Sequence, residues 1–118
     1  MKKVTGQSSL PKVVDDCHSL LLWMIPALDK FPRNRRFTLG EKIETGLLDV
    51  LGSCVSASYS RNKRETLVAA SKQLAVIQHL WRLAFELQTI SSKSYRFGSQ
   101  KLLEIGAQIG GWIKSASR

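Results

Sequence analysis

The chain has 118 residues, one domain's worth, and its 43% hydrophobic and 23% charged residues exclude a disordered polymer. A net charge of +9, from 18 Lys/Arg against 9 Asp/Glu, makes the folded state repel itself. It points to a polyanion partner, nucleic acid or an anionic membrane face, over a surface charged only for solubility.

Polar residues follow Lys2 and Lys3 where a secretory leader would turn apolar, so no leader is expected. The longest apolar run, Leu20 to Leu28, is far short of the ~20 residues that span a bilayer. A cytoplasmic protein without a membrane partner is expected. Cys17 and Cys54 lack a CxxC partner, and each lies in an apolar helical pattern. Buried free thiols are the expected state.

Four amphipathic segments follow in order. The first runs over about 11–30, with Val13, Cys17, Leu20, Met24 and Leu28 at helical spacing. Pro11 suits a first turn, and Pro26 should kink the helix near its end. Phe31 to Phe37 is expected to be a connection, because a residue preceding proline leans away from helix. The second segment, about 38–60, opens on Thr38 and Glu41 at capping-box spacing. Its stripe is Leu39, Ile43, Leu47, Val50 and Cys54. Gly40, Gly46 and Gly52 within it suggest close backbone approach at a helix crossing or subunit contact.

The third segment, about 63–89, is expected to be capped by Asn62 and Glu65. Leu67, Ala70, Leu74, Ile77, Trp81 and Ala84 form a heptad seam. A second seam, Gln73, Val76, Leu80, Leu83 and Leu87, runs beside it. A helix with two seams must touch helices on two sides. The fourth segment, about 92–115, repeats the period through Tyr95, Gly98, Leu102, Ile105, Ile109 and Trp112. Gly106, Gly110 and Gly111 read as packing positions. No stretch alternates as a strand does. The expected fold is all-α: one domain over 1–118, an antiparallel up-down-up-down four-helix bundle that assembles further.

This topology assigns each loop to an end of the bundle. Arg33, Arg35, Arg36, Lys93 and Arg96 share one end. Lys2, Lys3, Lys12, Arg61, Lys63, Arg64, Lys114 and Arg118 share the other, with Lys42, Lys72, Arg82 and Lys101 along the shafts. Lys63, Arg64, Lys93 and Arg96 fall at helix starts, where a cation opposes the helix dipole by roughly 0.3–1 kcal/mol. A docking anion would reverse that penalty. The candidate nucleic-acid-binding set is Arg33, Arg35, Arg36, Arg61, Lys63, Arg64, Lys72, Arg82, Lys93 and Arg96. Tyr95 and Phe97, close to Lys93 and Arg96, are weaker candidates for stacking on single-stranded RNA.

Signals for chemistry are poor. Asp15 and His18 can meet on one helix face, and Cys17 or Cys54 nearby would imitate a Cys–His pair. The pattern lacks an orienting third group, so no catalytic residue is expected. Two histidines and two separated thiols make no zinc motif, and no glycine-rich loop follows a strand. Neither metal nor cofactor is expected. The three tryptophans fall on apolar stripes and read as packing residues.

Two blocks carry a family resemblance. Leu20-Leu21-Leu22-Trp23-Met24-Ile25-Pro26 through Phe31-Pro32-Arg33-Asn34-Arg35-Arg36-Phe37-Thr38-Leu39-Gly40 resembles the accessory variability determinant (Avd) family of diversity-generating retroelements. Ile109-Gly110-Gly111-Trp112-Ile113-Lys114-Ser115 is similar to that family's C-terminal end. The related four-helix proteins of ribosomal RNA intervening sequences share the Phe-Pro-x-x-x-x-Phe-Thr-Leu-Gly style of loop. The resemblance implies a non-catalytic four-helix bundle that forms a basic homopentameric barrel. It also implies association with a reverse transcriptase and template RNA in mutagenic retrohoming. Arg33, Arg36 and the Phe37–Gly40 turn carry over by motif. The competing expectation is an RNA-binding or structural oligomer of the intervening-sequence type, with no polymerase partner.

Overall fold

The four amphipathic stripes become four helices in the computed structural model, which describes residues 10–116. Helix α1 spans Lys12–Asp29, α2 Glu41–Ser58, α3 Arg64–Glu86 and α4 Ser92–Ala116. The stripes read from periodicity face one shared core. Cys17, Met24, Ile43, Leu47, Val50, Leu67, Ile77, Trp81, Leu102, Ile105 and Ile109 are all essentially without solvent contact. Each large aliphatic side chain so buried contributes about 1.5–3 kcal/mol relative to exposure. Among the described residues no polar or charged side chain is buried, so apolar burial holds the fold together.

Contacts between neighbouring helices fix the topology. Cys17 faces Cys54. A Cβ on Gly46 would meet Ile77, and Gln73 reaches Asp49 at 3.4 Å. Gly98 lies on Trp81, and Gly106 on Leu74. Asp16 accepts a bond from Gln108 at 2.7 Å, and Trp23 packs on Phe97. In each pair of helices one residue number rises as the other falls. The bundle therefore runs up, down, up, down, and α4 closes back on α1.

Two glycines set how close the helices come. The ideal Cβ of Gly98 would lie 2.6 Å from Cζ2 of Trp81, so the indole fills the place a side chain would take. Trp81 Nε1 donates to the Tyr95 carbonyl at 3.1 Å, which fixes the ring's orientation. At Gly46 a Cβ would meet Ile77 Cγ1 at 3.0 Å. Within the chain no helix crossing approaches Gly52, Gly110 or Gly111, whose Cβ positions meet nothing within 4 Å.

The first connection departs most from the sequence expectation. The chain bends over Lys30, Phe31 and Pro32 and then turns helical at once, as Arg33–Arg35 followed by a π-helical turn, Arg36–Gly40, that runs into α2. Arg33, Arg35 and Arg36 are therefore helical residues and not loop residues. The expected capping box is absent: Thr38 Oγ1 donates to the carbonyls of Asn34 and Arg35, at 3.3 and 3.4 Å. Pro32 explains the early start, since its fixed φ suits the residue that precedes a helix. The wide turn buries Leu39 and Gly40 while sending Phe37 outward. Pro26 lies inside α1, which runs on to Asp29.

Other helix ends also differ. No side chain caps α3, so the Asn62/Glu65 box is not formed. Helix α3 ends at Glu86, short of the expected 89. Gln88 takes a left-handed φ of 65°, Gln88 N–H bonds Phe85 O at 2.9 Å, and Thr89 N–H bonds Ala84 O at 3.1 Å. That is a Schellman ending, which a glycine usually signals and here a glutamine forms. Ser91 Oγ accepts the Ser94 N–H at 3.1 Å and caps α4, a signal the sequence reading passed over.

Both cysteines are free and buried, as expected. The shared hydrogen bond with Cys54 and burial push the Cys17 thiol well above its ordinary range. An aqueous alkylating reagent should leave both thiols unmodified in the folded protein and label both in denaturant. Rapid labelling of the native chain would contradict this packing.

Candidate nucleic-acid interface

One end of the bundle gathers the start of the α2 segment and the α3–α4 connection, and brings Arg33, Arg35, Arg36, Lys93 and Arg96 to the same end. Arg36 bridges Asp29 at 2.7 Å and lies 5.2 Å over the Phe37 ring. The bridge is solvent-exposed, so it is worth about 1 kcal/mol or less and a phosphate can displace it. Arg33, Lys93 and Arg96 are exposed and Arg35 is half-buried. None of these four makes an ion pair or a side-chain hydrogen bond among the described residues, which leaves their charge available.

At the opposite end Arg61 and Arg64 are exposed. Lys63 has a different job: its ammonium donates to the carbonyls of Ala57 and Ser60, at 2.9 and 2.6 Å. The C-terminus of α2 carries partial negative charge, which a cation stabilises. The placement of Lys63 against the dipole of α3 is thus explained by the helix before it. Lys2, Lys3 and Arg118 lie outside the described residues. Along the shaft, Lys72 is exposed on α3, while Arg82 pairs with Glu86 at 3.0 Å. That pairing raises the Arg82 pKa.

The second seam of α3 is uncovered within the chain. Val76 is 57% exposed, and Leu83 and Leu87 are also open to solvent. With Phe37, 60% exposed, they line a groove of about 930 Å³ between α2 and α3. Arg35 and Lys42 stand at its rim, with Glu41 and Asp49. The heptad count anticipated this seam. Phe37, carried over by motif as part of a turn, was not expected in this groove, because its outward direction depends on the π turn.

The residues weighed for catalysis do not converge. Cys17 points into the core, while Asp15 and His18 are exposed. No cluster of three metal-ligating side chains exists among the described residues. No helix among them is long and apolar enough to cross a membrane.

Neither a curated protein nor a solved structure matches the chain. A protein-family model, described as bAvd-like, matches residues 12–116, nearly the whole chain and all four helices. The chain therefore belongs to the bAvd-like family, the bacterial accessory variability determinants, which are accessory and generally non-catalytic proteins of diversity-generating retroelements.

Proposed function

We propose that this protein is a cytoplasmic nucleic-acid-binding adaptor that joins a retroelement's reverse transcriptase to its template RNA during mutagenic retrohoming. The observation that carries the reading is the +9 charge together with the exposed or half-buried Arg33, Arg35, Lys93 and Arg96 gathered at one end of the bundle. Arg33, Arg35, Arg36, Lys93 and Arg96 form the main phosphate-binding surface, and Arg61, Arg64, Lys72 and Arg82 a second one. Lys63 contributes through the α2 terminus that it holds.

The working form is a homo-oligomer, a pentamer by family likeness. The open α2–α3 groove supports this, since a soluble monomer rarely leaves so continuous an apolar seam uncovered. Changing Val76 and Leu83 together to glutamate should lower the mass seen by light scattering to that of one chain. Both side chains are exposed, so the helical circular dichroism signal should persist. An unchanged oligomer would remove this groove from the interface. Co-purification with the reverse transcriptase tests the polymerase partner. Its absence, with RNA binding retained, would favour a stand-alone RNA-binding bundle.

A further inference from the structure

A second hollow lies between α1 and α4, apart from the α2–α3 groove and next to Lys93 of the loop-end cluster. Its volume is about 170 Å³. Space of roughly 150 Å³ accommodates one benzene-sized ring, and the lining here mixes apolar side chains with charged ones. Leu20, Ile105 and Trp23 form its inner wall, and Phe97 its outer one. The Trp23 ring centroid is 4.6 Å from that of Phe97 and 6.1 Å from that of Trp81, so the indole is held from behind by the core. Phe97 remains 43% exposed. Tyr95, the other aromatic of this helix start, is already stacked flat on Phe85 at 4.3 Å and 7°.

The charges around Phe97 are ordered. Lys93 precedes it and Lys101 follows it by one helical turn each, about 6 Å along the axis, on one stripe. Lys101 Nζ lies 5.5 Å over the Phe97 ring and 3.6 Å from Glu104. Inside the hollow stand two carboxylates, Asp16 and Glu104. Asp16 accepts from Lys12 at 2.6 Å, and Glu104 accepts from Gln100 at 3.0 Å. Lys12 and Lys101 line the hollow beside these carboxylates and balance them, so the lining suits a neutral ring, while Lys93, outside it, attracts a phosphate.

We propose that the α1–α4 cleft seats one unpaired nucleobase against Phe97, with Lys93 and Lys101 taking the flanking phosphates. A base slides over the exposed part of the phenyl ring, and the Lys101 ammonium swings from the ring to the strand. A duplex keeps its bases stacked inside and cannot offer one. The protein therefore prefers single strands to duplexes beyond what charge gives. This inference rests on the nucleic-acid-binding reading above and adds a class of ligand to it.

The test uses the full chain, a mixed-sequence single-stranded RNA and a duplex of equal length, with fluorescence anisotropy at fixed salt. Phe97→Leu keeps apolar packing on Trp23 and removes the aromatic face. It should weaken single-strand binding about tenfold and leave duplex binding unchanged, whereas Phe97→Tyr should bind as the parent does. Lys101→Gln should flatten the single-strand salt slope by about 0.7. Equal effects of Phe97→Leu on both RNAs, or none on either, overturn the cleft while salt-dependent binding keeps the wider reading intact. If the parent chain binds neither RNA, both fall. Should Phe97→Leu disturb the melting curve, an abasic sugar-phosphate strand puts the question to the parent protein. It should bind at least tenfold more weakly than its base-bearing counterpart, and equal binding overturns the proposal.

Discussion

Replacing Trp81 with alanine should cost about 3–5 kcal/mol of stability and leave the bundle at or near unfolding. Trp81 is fully buried and touches more of the structure than any aliphatic neighbour can. Its ring fills the gap at Gly98, braces Trp23 edge-on at 6.1 Å and bonds the Tyr95 carbonyl. Removal would empty the core beside the last turns of α3 and leave α4 without the surface that sets its approach. The reciprocal change, Gly98→Ala, adds one methyl where the indole already stands, 2.6 Å from the new carbon. Overpacking of this kind costs about 1–3 kcal/mol, because a rigid ring cannot give way as a flexible chain end does. Urea denaturation measures both. A loss below about 1 kcal/mol for Trp81→Ala would mean that α3 and α4 do not meet as described.

Changing Arg33, Arg35 and Arg36 together to alanine should leave the fold intact and weaken RNA binding on the order of tenfold or more. Three phosphate contacts on a single strand correspond to a log–log salt slope of about 2, which the triple variant should lose. The fold should survive because the only described ion pair in the cluster is the exposed Arg36–Asp29 bridge, worth about 1 kcal/mol or less. Altered melting with an unchanged salt slope would assign these arginines to structure.

The core was legible because its rule is geometric. Leu67, Ala70, Leu74, Ile77, Trp81 and Ala84 recur at the helical period, and all six are buried. The second α3 seam was legible for the same reason. What escaped the sequence lies at the helix ends, where backbone choices compete within about a kcal/mol. Pro32 and the π turn pulled helix back over Arg33–Gly40, against an equally reasonable capping box at Thr38. Gln88 took a left-handed position that composition assigns to glycine. Lys63 looked misplaced because its partners, the carbonyls of Ala57 and Ser60, precede it across a turn. The described cations could be assigned to the right ends of the bundle from topology alone, although Arg33, Arg35 and Arg36 turned out to be helical. Which cations keep their charge free depends on their neighbours: Arg82 and Glu86 are four apart on one helix and can be paired from spacing, whereas the Arg36–Asp29 bridge spans a bend and needs the three-dimensional contact.

The central claim is that the positive charge of this bundle serves a polyanion. The most direct measurement is the affinity of the unmodified protein for single-stranded RNA across a salt series. The account expects a straight log–log decline with a slope of about −3 or steeper, which corresponds to four or more phosphates neutralised. Binding that is insensitive to salt, or no binding near physiological ionic strength, would contradict it.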